Sequence, residues 1–302
     1  MRSFNIVYGN HGSSPVHIDD LISYLACAFA DVGSQVDISP GLSGRAINIV
    51  IECFDEQSTS VILDAIRSGV RVFVVATEHL TNGTFNDFNV SGASHYSARD
   101  YWLGRYRNFV QVAREAAAVW CVARALCEPY RRLLGDKVSC IPLGYVEGYA
   151  NVVHRPDREK NIDFLFTGSM TARREMILNA FRQTGVEVAV FPPQTPVFIR
   201  QNVVARSRVC LALAQSEEWR FKSDYRAFYH LMNGSFIVAE DLPEITDVDD
   251  YVQIVAKRDY LARCVDYLRS GSYSAIARMN LARFREERPL RPLFIEALGK
   301  NV

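Results

Sequence analysis

Two rhythms alternate along this chain: short, nearly unbroken apolar runs, and stretches in which apolar residues return every three or four positions. Phe4 to Tyr8 is the first run, closed by Gly9. Residues 17–32 then place Ile18, Leu21, Ile22, Leu25, Phe29 and Val32 at helical spacing, and Gly33 is set to end that helix. Gln35–Ile38 reads as a second strand. Ile47–Cys53 and Arg71–Ala76 are apolar enough for strands buried on both faces, with a helix over 57–68 between them. Residues 80–95 are rich in Thr, Asn, Gly and Ser, show no apolar period, and are expected to form a long loop. Tyr96–Arg114 returns to a helical pattern, and Ala117–Ala123 and Lys137–Pro142 are further strands.

After Gly144 the rhythm breaks. Tyr145–Asn161 carries Gly148, Pro156 and the charged run Asp157-Arg158-Glu159-Lys160, a composition suited to an interdomain linker. The strand-helix series then restarts with strands at Ile162–Thr167, Val186–Phe191, Val209–Ala214, Phe236–Glu240 and Val252–Val255. Helices are expected over Arg173–Gln183, Ile199–Arg206, Tyr225–Asn233, Tyr260–Leu268 and Tyr273–Glu287, with a short tail after Pro289 and Pro292. Two βαβ series predict an α/β protein of two Rossmann-like, doubly wound parallel-sheet domains facing a cleft. The expected division is 1–150, 151–272, and a helix-bearing segment 273–302 that returns to the first domain. Ligands of such sheets sit outside the carboxyl ends of the strands.

Totals narrow the classes. The chain has 302 residues, and its 34 Lys and Arg balance 34 Asp and Glu. Such a balance gives no global pull toward nucleic acid or an anionic membrane. The aromatic-basic run Tyr101-Trp102-Leu103-Gly104-Arg105-Tyr106-Arg107 reads as an amphipathic helix face. No stretch approaches the ~18 apolar residues of a spanning helix, although peripheral membrane contact stays open. The seven cysteines are scattered with no Cys-x-x-Cys, and they read as reduced core thiols of a cytoplasmic protein. An oxidoreductase or epimerase is disfavoured, since neither Gly-x-Gly-x-x-Gly nor Ser/Tyr-x-x-x-Lys is in place.

Candidate chemistry gathers after strands. Gly9-Asn10-His11-Gly12 follows the first. His11 ranks first as a general base, because an imidazole near its neutral point suits removal of a hydroxyl proton. Asn10 and Gly12 are candidate acceptor contacts. Thr77-Glu78-His79 ends the Arg71–Ala76 strand, with Glu78 as second base and His79 on the acceptor. In the second half, Gly168 and Ser169 would present amides at a helix N-terminus, where phosphate is attracted, and Arg173 and Arg174 follow. Lys222 and Arg226, four apart, would share a helix face and clamp a diphosphate.

The stretch from Ser207 to Glu240 resembles the donor-binding signature of GT-B glycosyltransferases, in particular the CgeB-like group. Arg226, Phe228 and Gly234 match that group's Arg-x-aromatic-Glu-x-x-x-x-Gly helix. Phe164-Leu165-Phe166-Thr167-Gly168, Ile141-Pro142-Leu143-Gly144 and the helix over 273–287 resemble further parts of its pattern. The resemblance implies a metal-independent hexosyltransferase that takes a nucleotide-sugar as substrate, with no separate cofactor. The acceptor would be a glycan, a lipid-linked molecule or a small molecule. It implies donor contacts at Gly168, Ser169, Arg173, Lys222, Tyr225, Arg226, Tyr229 and Glu240. Asp249-Asp250 is adjacent rather than spaced, and no metal site is expected. Two departures stand out. Tyr229 occupies the position of the ribose-binding Glu, for which Glu240, Glu217 and Glu218 are candidate substitutes. The retaining signature Glu-x7-Glu would need its first Glu at Phe221. A non-catalytic nucleotide-sugar-binding or partner protein on the same fold is the alternative.

Overall fold

The structure, a computed structural model, describes residues 3–8, 18–52, 54–81, 83–86 and 99–299. Its contacts divide into two units: the chain up to Pro142 together with the chain from Leu290, and Leu143–Pro289.

In the first unit, strands β1 (Ser3–Tyr8), β2 (Gln35–Ser39), β3 (Ile47–Ile51), β4 (Val72–Ala76), β7 (Ala118–Cys121) and β8 (Val138–Cys140) form one sheet in the order β2-β1-β3-β4-β7-β8. Every pairing in it is parallel. Helices α1 (Asp19–Asp31), α2 (Glu56–Arg67), α3 (Arg99–Glu115) and α4 (Arg124–Leu134) connect the strands. All five residues of β4 are buried, which is why its sequence has no alternation. Within the expected long loop, β5 (Leu80–Thr81) and β6 (Thr84–Phe85) pair as a small antiparallel ladder, Leu80 opposite Phe85.

The second unit repeats the plan. Strands β9 (Ile162–Thr167), β10 (Val188–Phe191), β11 (Ser207–Ala212), β12 (Ile237–Glu240) and β13 (Gln253–Val255) are ordered β10-β9-β11-β12-β13, again all parallel. Helices α5 (Ala172–Gln183), α6 (Val197–Ala205), α7 (Asp224–Met232), α8 (Tyr260–Ser270) and α9 (Tyr273–Glu287) accompany them. Phe164, Phe166, Phe181, Val209, Leu211, Val238 and Tyr260 belong to its core. In both sheets the chain reverses direction of winding beside the first strand, and that switch point is where doubly wound sheets bind ligands.

Three expectations change. Residues 145–161 are not a loose tether: the Asn233 side chain accepts from the amides of Asn151 and Val152, and Tyr149 stacks on Phe228 at 5.6 Å. Helix α9 belongs to the second unit, where Phe284 meets Tyr251 at 4.9 Å. The expected tail is helix α10 (Leu290–Gly299), and it is this element that packs on the first unit. Phe294 lies 5.1 Å from the Phe29 ring, and Arg291 donates to the Asp31 carbonyl at 2.6 Å. Pro292 is tolerated because it falls in the first turn, where amides lack helical partners anyway. No described helix is long and apolar enough to cross a membrane.

Candidate functional site

The carboxyl ends of β9, β11 and β12 assemble one site in the second unit. It starts from a glycine. Gly168 has φ +150°, and a Cβ there would stand 2.6 Å from Nη2 of Arg226. Only a residue without a side chain lets that guanidinium lie against the backbone. Arg226, in the first turn of α7, rests 5.4 Å from the Phe166 ring centre. Its Nη1 is closed off from solvent and has no hydrogen-bond partner. Burial lowers it to about 10, and among the described residues no carboxylate is paired with it. At neutral pH it is therefore a partly desolvated cation with no counterion among the described residues, an arrangement that costs stability unless an anion completes it.

The neighbouring cations are occupied. Arg174 is buried and donates to the carbonyls of Ser169 and Leu213, each at 2.7 Å, tying the end of β9 to the end of β11. Burial first, then Arg226, lowers it to about 9. Arg173 grips Glu240 with two bonds of 2.9 and 2.6 Å and Glu217 with a third of 2.7 Å. Glu240 also accepts from the Ala214 amide at 2.6 Å. Thr171 caps α5, accepting from the Arg174 amide, and fixes the next loop by donating to the Gln215 carbonyl. Ser169 is exposed beside this cap.

Lys222 departs from expectation. It precedes α7 instead of sharing its face with Arg226, and its ammonium binds Asp249 at 2.6 Å. Around it lie Asp224, raised to about 8 by burial and then by Glu244, Asp249 and Asp247, and Glu244, raised to about 7 chiefly by burial. Asp247-Val248-Asp249 does have the Asp-x-Asp spacing that the adjacent Asp249-Asp250 pair lacks. Arg288 engages Asp247 at 3.4 Å, and Lys222 and Thr246 engage Asp249. Among the described residues no group of three or more His, Cys, Asp or Glu is placed to hold a metal ion. Tyr225 packs edge-on to Phe228, and Tyr229 is buried with the Arg200 guanidinium 5.2 Å from its ring centre. At that position the chain has a core aromatic where the resemblance led us to expect a polar contact.

The first unit gathers a second set at the ends of β3 and β4. Glu52 has a left-handed backbone, φ 59°, uncommon for a residue with a side chain. Arg105, buried on α3, bridges Glu52 and Glu78, the latter at 2.6 Å, and Thr77 donates to Glu52. Asn86 donates to Glu78 at 2.6 Å, and the Tyr130 hydroxyl donates to the Glu78 carbonyl. Burial raises Glu52 despite Arg105. Burial also lowers His79 to about 4, so it is neutral at physiological pH. Asn10, His11 and Gly12 lie outside the described residues. The sequence does not single out Glu52 and Arg105: one lies inside an apolar run, the other in the aromatic-basic run that reads as an amphipathic helix face.

No protein-family model matches the chain, and no curated protein sequence matches it. Solved structures do. The crystal structure of TarM superposes with a TM-score of 0.55 at 10% identity, covering 85% of this chain and 55% of its own. The chain thus spans about half of TarM's length. The apo lipopolysaccharide outer core galactosyltransferase WaaB gives 0.49 at 11% identity, with all of both chains covered. The fold is GT-B. In this GT-B chain, the first five strands of each unit follow the same parallel order on different cores, and Arg226, with no paired carboxylate among the described residues, stands at the switch point of the second.

Proposed function

We propose that this chain is a glycosyltransferase that moves a sugar from a nucleotide-sugar to an acceptor hydroxyl, with the donor held on the second unit. One observation carries the reading: Arg226 is half-buried with its Nη1 enclosed, is charged, and has no carboxylate paired with it among the described residues, beside the Gly168 backbone at the end of β9. A diphosphate there would supply the missing charge. In sugar transfer the diphosphate is the leaving group and gains negative charge as the glycosidic bond breaks. A fixed guanidinium, the Ser169 amide and the N-terminus of α5 would stabilise that charge without reorganising, whereas the Gly168 amide donates to the Phe191 carbonyl at 2.9 Å and Gly168 serves by letting Arg226 approach. That is why we assign no metal to the reaction. Arg173 and Glu240 act indirectly in this scheme, holding the loop that follows β11. His11 is assigned as the base first and Glu78 second, because the Glu78 carboxylate is already engaged by Arg105 and Asn86. With a base on the acceptor, displacement is direct and the anomeric configuration inverts. Asn10, Gly12 and His79 are assigned to the acceptor, whose class is a glycan, a lipid-linked molecule or a small molecule.

The test is calorimetric titration of UDP, GDP and ADP into the wild type, Arg226→Ala and Gly168→Ala. A lost charge-assisted contact of about 1.5–3 kcal/mol corresponds to roughly 10–100-fold weaker binding. Arg226→Ala should lose that affinity while its melting temperature holds or rises, because the substitution removes a desolvated charge. Unchanged affinity in Arg226→Ala, or no binding of any nucleoside diphosphate to the wild type, would overturn the reading.

A further inference from the structure

The second unit holds a cavity of about 510 Å³ bounded by the loop after β12, by β13 and by the approach to α7. Its lining is of two kinds. Leu242, Pro243, Ile245 and Ile254 are apolar, and Ile245 keeps 81% of its surface exposed. Lys222, Asp241 and Asp249 bring charges of both signs. The charged side is anchored by its own bonds. The Lys222 ammonium donates to Asp249 at 2.6 Å, the Lys222 amide donates to Glu244 at 2.9 Å, and the Thr246 hydroxyl donates to Asp249 at 2.7 Å. Asp224, two residues beyond Lys222, is only 6% exposed, and its Oδ1 and the Oε1 of Glu244 are enclosed with no hydrogen-bond partner among the described residues.

Two stretches of chain join this cavity to the residues assigned to the diphosphate. Lys222 is four residues from Arg226, so at about 3.8 Å per step their Cα atoms are at most about 15 Å apart, a span that two long side chains share. Asp241 directly follows Glu240, which Arg173 holds at 2.6 Å from the start of α5. A group bonded to the terminal phosphate at Arg226 has this cavity within reach, and in a nucleotide-sugar that group is the sugar.

We propose that the cavity is the donor-sugar site and that it takes a neutral hexose and rejects a hexuronic acid; the inference rests on the donor reading above. A pyranose has hydroxyls at its rim and C–H groups on its faces. Asp241 and Asp249 accept from hydroxyls, Lys222 donates to a hydroxyl oxygen, and Leu242, Pro243, Ile245 and Ile254 cover a C–H face. The lining sets one cation against two carboxylates, and that cation is already bound to Asp249. A carboxylate on the sugar would leave water to face charges of its own sign.

Calorimetric titration separates the sugar from the nucleotide. UDP is compared with UDP-glucose, UDP-galactose and UDP-glucuronate, GDP with GDP-mannose and GDP-mannuronate, and ADP with ADP-glucose. For the nucleotide that binds the wild type, a neutral hexose conjugate should bind roughly tenfold more tightly than the bare diphosphate, and a uronate conjugate no more tightly than it. Asp241→Asn and Ile245→Asp, both at exposed positions, should each remove most of that gain and leave the affinity for the bare diphosphate as it is. Asp241→Lys should reverse the preference toward the uronate. A uronate conjugate that matches the neutral one in the wild type, or a gain that survives both substitutions, would overturn the proposal and leave the diphosphate reading standing. Equal losses for the bare diphosphate and its conjugate in Asp241→Asn would also overturn it, since the cavity would then hold the nucleoside. If none of the three diphosphates binds, the donor reading falls and this proposal falls with it.

Discussion

At the residue scale, the second unit separates charges by whether they are answered. Arg173 and Lys222 meet carboxylates, Arg174 meets carbonyls, and among the described residues Arg226 has no paired carboxylate and an unpartnered Nη1. Carboxyls show the converse. Asp224 is buried with Oδ1 unpartnered and is raised to about 8. A carboxyl whose folded-state value lies above its unfolded one stabilises the fold fully below the unfolded value, near pH 4, and that contribution is lost as pH rises through about 8. Glu244, raised to about 7, adds in the same direction. Urea midpoints of the wild type should therefore fall between pH 5 and pH 9, and Asp224→Asn, which cannot ionise, should flatten that fall. Parallel pH profiles for the two proteins would mean that Asp224 is charged in the fold.

At the element scale, α10 contributes to the first unit what the apolar runs of β1 and β7 leave open. Phe4 and Phe29 stack at 4.1 Å, and Phe294 completes the group from the far end of the chain, 6.2 Å from Trp120. Truncating a buried Phe to Ala removes contacts that neighbours only partly recover, a loss of about 3–5 kcal/mol. Phe294→Ala should lower the first unit's unfolding free energy by that amount and leave nucleoside-diphosphate affinity within about twofold. Hydrogen exchange would check it, with faster exchange in β1 and β7 and little change in β9 and β11. Equal acceleration in both sheets would show that α10 serves both units.

For the whole molecule, charge sets a limit on partners. The balance of 34 cationic against 34 anionic side chains leaves no net field to draw a polyanion, and such fields supply most non-specific nucleic-acid affinity. The basic run at 101–107 does not supply a patch in its place, because Arg105 is buried between two carboxylates. Mobility-shift titrations with duplex and single-stranded DNA should show no retardation at ~50 mM or ~200 mM salt. Retardation at the lower salt that vanishes at the higher would reveal a phosphate-binding face.

What the sequence determined is local. Buried strands such as β3, β4 and β9 read as apolar runs because both their faces are covered. Helices read from their three-to-four spacing, and Gly168 and Arg226 stood out because a tight turn and a first-turn arginine leave short-range marks. The repeated strand-helix series was enough to predict two doubly wound sheets. What only the tertiary structure decided is which charges are spent. Arg173 and Glu240 are 67 residues apart, and no periodicity announces that they meet. Lys222 falls just outside α7, so the four-residue spacing that joined it to Arg226 had no helix to act through. Glu52 and Arg105, 53 residues apart, were hidden by apolar neighbours on one side and a mixed helix face on the other. Periodicity records how each segment meets solvent. The pairing of charges depends on which segments fold against each other, and that is settled only when the sheets close.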